Sequence, residues 1–189
     1  MKTSPRFEMF GIDMGEACRQ GSPFTFAVDL LWRTARVAEE VSRQSTLSVV
    51  IERLLVSVNR RKMTRMERVD FLMGRVAVLL SDMDAQSKAL PRMDEMRTMS
   101  IYLRVVRTHV DNAKMSIRQA HSVQSRTAIS ANMLSASDSL VQATNKIIDM
   151  DYSLLRLERK KEETARRKAH RKSLRETQLK GAVLEASQK

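Results

Sequence analysis

The chain has 189 residues, of which 42% are apolar, 4% aromatic and 30% charged, and its formal net charge is +12 at pH 7. So few aromatics, with only 5 Gly and 3 Pro, exclude a many-stranded sheet fold, whose core and turns would need more of each. The abundant Leu, Val, Ile and Ala, and 13 Met suited to irregular gaps between helices, predict an all-α protein.

Residues 1–22 hold Pro5, Gly11, Gly15 and Gly21 without a sustained period, and read as a flexible or partner-ordered N-terminal arm. Phe7, Met9, Phe10 and Ile12 make it stickier than a linker, as a cap on a helical bundle would be. Ser22-Pro23 then has the form of an N-cap followed by proline at the first helical position, opening a helix over about 23–61. Its heptad stripe runs from Leu30, Thr34, Val37 and Val41 to Ile51, Leu55 and Val58. The stripe turns polar around Ser42–Thr46, where the helix is expected to bend or break. Trp32 is expected in the core. Asn59-Arg60-Arg61-Lys62 closes the segment with cations, which suit the negative end of a helix dipole.

Thr64 and Glu67 have the spacing of a capping box, in which each side chain satisfies the other residue's free amide. They open a second helix over about 64–90, striped by Met66, Val69, Met73, Val76, Leu80 and Met83. It ends before Pro91, because proline disfavours the α conformation in the residue ahead of it. Gly74 within it costs about 1 kcal/mol against Ala, and a close helix crossing would explain its presence. These two helices, within 23–90, are expected to form an antiparallel hairpin.

From Pro91 onward there is no proline, and no glycine until Gly181. Apolar positions alternate by four and three from Met99 through Leu103, Val106, Val110, Ala113, Ile117 and Ala120. The same register continues through Leu134, Val141, Ile148 and Leu155, although Gln124, Thr127, Asp138 and Asn145 also fall on it. This pattern predicts a coiled-coil seam on one helix over 91–155, reaching roughly 125 Å if it extends to Arg175 at 1.5 Å per residue. A second stripe, Met133, Leu140, Ile147 and Leu154, lies one position ahead of the first and doubles its apolar width. The first two helices, roughly 58 and 40 Å at most, are too short to cover it. The expected fold is therefore an elongated hairpin or three-helix bundle with a very long third helix. Both stripes, Leu134, Val141, Ile148 and Leu155 with Met133, Leu140, Ile147 and Leu154, are expected to contact another chain.

Residues 156–189 form a basic helical extension and tail. Between Arg156 and Arg175 there are ten basic and three acidic residues, a surplus of seven in twenty positions. The cations surround the helix with no apolar face opposite, which argues against a membrane-surface helix. Aromatic stacking groups and nucleic-acid motifs are absent too. Arg166, Arg167, Lys168, Arg171 and Lys172 are the candidates for contact with an acidic surface, whether of protein, nucleic acid or anionic membrane.

Catalytic chemistry finds no support. Cys18 stands alone, and His109, His121 and His170 are scattered singly, so neither a disulfide nor a metal site is expected. Asp82/Asp84 and Asp149/Asp151 are two residues apart on helices and do not face each other. No phosphate loop or nucleophile elbow occurs, and no cofactor or small-molecule substrate is expected. Without a signal-peptide core or a spanning apolar run, the expected location is cytoplasmic or nuclear. The sequence thus predicts a non-enzymatic scaffold or adaptor subunit built on a heptad coiled coil, joining helical chains as a homo- or hetero-oligomer. The alternatives are a nucleic-acid-binding protein dimerised by that coil, or a membrane-binding helical dimer.

Overall fold

The computed structural model describes residues 24–90 and 93–186, with the side chains described through Arg175. The arm expected over 1–22 lies outside the described residues. Among the described residues five helices follow one another: α1 Thr25–Ser42, α2 Thr46–Ser57, α3 Arg65–Ala89, α4 Met93–Ser122 and α5 Arg126–Ala186. The chain is all-α and ends in a long helix. Two compact units divide it, Met1–Asp151 and Tyr152–Lys189.

In the first unit, α1, α3, α4 and the opening turns of α5 run up, down, up and down as a four-helix bundle. Arg65 reaches Glu40 at 3.7 Å, bringing the start of α3 to the end of α1. His121 lies 3.1 Å from Asp70, and Arg107 3.3 Å from Asp84, which fixes α3 and α4 as antiparallel neighbours. Ser116 Oγ meets Ser135 Oγ at 3.3 Å between α4 and α5. The core is aliphatic and Met-rich, with Leu31, Val41, Val69, Val76, Leu103, Val106, Met133, Leu140, Ile147 and Met150 fully enclosed.

The heptad stripes locate most of this core. Leu30, Thr34, Val37 and Val41 are buried on α1, Val69 through Met83 on α3, and all seven stripe residues from Met99 to Ala120 on α4. Thr34 is accommodated because its hydroxyl donates to the Leu30 carbonyl one turn back, at 2.7 Å. Trp32 is half-buried at the core's edge, its ring 5.7 Å from the Arg36 guanidinium, rather than enclosed within it. The capping box at Thr64–Glu67 forms in both directions, with the Glu67 amide donating to Thr64 Oγ1 at 3.2 Å and the Thr64 amide to Glu67 Oε2 at 2.7 Å.

Two breaks change the expected layout. The first lies at Arg43–Ser45, inside the polar stretch where a bend or break is expected, and separates α1 from α2. Ser45 restarts the helix by accepting the Ser48 amide at 3.2 Å. The heptad phase does not survive this interruption. Ile51 and Val58, expected to face inward, point outward, and Glu52 is buried instead. At the far end of α2, Asn59 adopts a left-handed conformation, φ 55°. Its amide donates to the Val56 carbonyl at 3.0 Å and that of Arg60 to Leu55 at 2.9 Å, the paired bonds of a Schellman cap.

The second break corrects the single long helix expected from Pro91. Val123–Ser125 is not helical, and α4 and α5 are separate helices that fold back on each other. Neither glycine nor proline marks the turn. Its cause is tertiary: Arg126 donates through Nε to the Gln44 carbonyl at 2.7 Å and through its guanidinium to the Val41 carbonyl. Ser130 Oγ donates to the Ser42 carbonyl at 2.6 Å. The last carbonyls of a helix have no partner within it and carry partial negative charge. Arg126 and Ser130 donate to the Val41 and Ser42 carbonyls at the end of α1 and to that of Gln44 just beyond it, and so tie the start of α5 to the end of α1.

This turn also shifts the helical phase. Beyond it Thr127, Ala131, Leu134 and Asp138 are exposed, while Met133, Ala136, Leu140, Ala143, Ile147 and Met150 face the core. The polar residues Gln124, Thr127 and Asp138, expected on the seam, are therefore surface residues. Gly74 differs too: a Cβ there would meet nothing within 4 Å, so no close crossing accounts for it. It floors an open groove of about 460 Å³ between α1 and α3, rimmed by Phe26, Phe71 and Val78.

In the second unit α5 continues from Tyr152 to Ala186. Leu154, Leu155 and Leu157 are half-buried, and from Arg159 to Arg175 every side chain except Lys161 is exposed. No helix among the described residues is long and apolar enough to cross a membrane.

Candidate functional surfaces

The eight residues expected to contact another chain do not form one surface. Met133, Leu140 and Ile147 have no exposure in the single chain, and Val141 is buried beside them. Their predicted role is corrected: they are core positions of the bundle, sealed by the fold-back at Val123–Ser125. Leu134 is 38% exposed, and Ile148, Leu154 and Leu155 are partly accessible. The apolar strip is thus covered mainly by its own chain.

The cationic candidates are accessible. Arg166, Arg167, Lys168, Arg171 and Lys172 all lie exposed on α5. Arg167 pairs with Glu163 one turn earlier at 2.5 Å, an exposed contact that leaves most of its guanidinium in solvent. The side chains surround the helix, as their spacing implies.

A surface missed by the sequence reading lies on α2. Its outward face carries Leu47, Val50, Ile51, Leu54 and Val58, exposed by 69, 50, 47, 59 and 61%. The signal is present in the chain, since eight of the thirteen residues from Thr46 to Val58 are apolar, too many for one inward stripe. Val49, Leu55 and Val56 are half-buried on the opposite side, and they share it with a charge. The one carboxylate of the helix, Glu52, is 4% exposed and turned inward. It accepts from Gln44 Nε2 at 2.8 Å and from Arg61 at 2.8 Å, and Arg65 lies 3.5 Å away. That cluster ties both ends of α2 to one buried anion and holds the apolar face outward.

Two further carboxylates sit in ion pairs on the surface of the helices. Lys88 and Arg107 flank Asp84, and the hydrogen bond from Lys88 is the main cause holding its carboxyl below the usual range. Asp149 accepts from Lys146 at 2.7 Å and raises the amine above its ordinary value. Among the described residues, no three His, Cys, Asp or Glu side chains are grouped so as to hold a metal ion.

No protein-family model, curated protein or solved structure matches the chain.

Proposed function

We propose that the chain is a non-enzymatic adaptor or scaffold subunit, in which a helical bundle engages other helical chains and a basic helix holds an acidic surface. The observation that carries this reading is the segment Arg156–Arg175, which gathers a surplus of seven positive charges on helix surface open to solvent. A surplus this local serves attachment better than solubility, which needs only dispersed charge. Contacts with partner helices fall on apolar surface left outside the bundle, not on Met133, Leu140 and Ile147.

Affinity capture from a nuclease-treated native extract tests the reading. The full chain is compared with a variant carrying Arg166→Gln, Arg167→Gln, Lys168→Gln, Arg171→Gln and Lys172→Gln. Protein partners should be retained at low salt and lost in the variant or at high salt, since the attraction is screened. Capture unchanged by either treatment sinks the role of the basic helix. Partners captured only when the nuclease is omitted favour nucleic acid as the acidic surface.

A further inference from the structure

We propose that the outward face of α2 is the seat for a single amphipathic helix of a partner protein whose seam is bordered by acidic residues. This deepens the adaptor reading by naming the partner's chemistry, and it rests on a surface separate from the basic helix.

Spacing is the first argument. Leu47, Ile51, Leu54 and Val58 follow one another by four, three and four, which is the seam of a two-stranded coiled coil. Leu occupies one seam position, at 47 and 54, and a β-branched residue the other, at 51 and 58. That combination favours a pair of helices over larger assemblies. Val50 widens the strip on one side. A lone helix of this length is marginal in water, but α2 is fixed in advance by the Ser45 cap, the Asn59 Schellman cap and the buried Glu52 cluster. A partner helix therefore meets a preorganised surface and does not have to offset the ordering of α2.

Charge selects among the occupants. Residues 43–68 carry seven basic residues (Arg43, Arg53, Arg60, Arg61, Lys62, Arg65, Arg68) against two acids (Glu52, Glu67), a surplus of five. Glu52 is buried against Arg61, Arg43 pairs with Glu39 and Arg65 with Glu40. That leaves Arg53, Arg60, Lys62 and Arg68 against Glu67 as the other exposed charges of this segment, still a cationic surplus. Arg53 and Arg60 are exposed, and no carboxylate among the described residues pairs with either. A second copy of α2 would set this surplus against itself, which disfavours self-pairing. A lipid surface would accept the charge, but interfacial helices expose their polar face and its cations to the headgroups. Here Glu52 is enclosed and Val49, Leu55 and Val56 are half-buried beside it, so the inward side of α2 is not a polar face, and the outward strip holds no aromatic residue. An apolar stripe edged by Glu or Asp matches both the seam and its border.

The test uses the full chain and a fluorescent synthetic helix of about three heptads with Ile at a, Leu at d and Glu at e and g. Anisotropy should report binding to the native chain, weakened at least about tenfold by Leu54→Asp and by exchanging the peptide's Glu for Lys. Leu54 is more than half exposed, so its substitution should leave the helical circular dichroism and the melting temperature unchanged. The glutamine variant of the basic helix should bind the peptide as the native chain does, which separates a failure here from a failure of the acidic-surface reading. Equal binding by the Leu54→Asp chain, equal binding of the Lys peptide, or no binding at millimolar concentration overturns the proposal. So does a Leu54-dependent dimer in sedimentation, which assigns the face to a second copy. Leu54-dependent sedimentation with phosphatidylserine vesicles, without peptide binding, overturns it in favour of lipid.

Discussion

Glu52 shows how one side chain can override the pattern around it. An amphipathic reading of α2 puts its aliphatic residues inside and its acid outside, yet the carboxylate is enclosed and bonded to Gln44 and Arg61. Hydrogen bonds to a charged group contribute more than neutral ones, but Arg61 is itself half exposed and its share is screened. Glu52→Ala should destabilise the chain by about 1–2 kcal/mol in urea unfolding; a change within error would show the cluster to be incidental. Glu67 gives a pH-dependent counterpart. Hydrogen bonds from the Thr64 backbone and side chain hold its carboxyl below its ordinary 4.5. The folded state therefore favours the ionised form, and that stability is present above the ordinary carboxylate range and lost as pH falls through the lowered value. In Glu67→Gln the acid limb of the stability–pH curve should flatten, while the curve near neutrality keeps its slope. This capping box was legible because its partners are three residues apart; the Glu52 cluster was not, because Gln44 and Arg61 are eight and nine residues distant.

At the scale of elements, the stripes on α1, α3 and α4 were readable because each helix keeps one phase from end to end. On α5 the phase is set by where the helix begins, and the turn at Val123–Ser125 carries no breaker residue. Two nearly equivalent stripes were visible there, and the docking of Arg126 onto α1 decides between them. Leu140→Ala should cost about 2–5 kcal/mol, as expected for a fully enclosed leucine, whereas Leu134→Ala should cost less than about 1 kcal/mol. Equal costs in chemical denaturation would contradict the register. Arg126→Ala removes the side-chain donor to the Val41 and Gln44 carbonyls, at and just beyond the end of α1, and should destabilise by about 1–3 kcal/mol, measured in the same titration.

For the whole molecule, the fold-back at Val123–Ser125 changes what needs a companion. A single continuous helix would leave a long apolar strip uncovered, and association through it would be obligatory. In the observed bundle that strip closes largely against the same chain, so the association proposed for the chain falls to smaller surfaces such as the face of α2. The two units differ sharply in how much they bury. The bundle encloses its aliphatic side chains, while α5 from Arg159 to Arg175 is almost entirely solvent-facing and rich in trypsin sites. Segments with few buried contacts open at low free energy. Limited trypsin digestion should therefore cut first within Arg156–Arg175 and leave a protected fragment ending near the boundary at Asp151. Mass spectrometry checks this, and a first cut inside α1, α3 or α4 would contradict it.

By itself the sequence determined the helical class, the capping box at Thr64, a helix end near Asn59, the inward stripes of three helices and the charge of the final one. These depend on neighbours within a turn or two, where spacing is enough to place side chains. Tertiary structure decided where the long heptad run turns back, which of its two stripes is sealed, and that α2 shows its apolar side to solvent. Each of these rests on a contact between residues far apart in the chain, a guanidinium on distant carbonyls or arginines on a buried carboxylate, and no local periodicity encodes such a meeting.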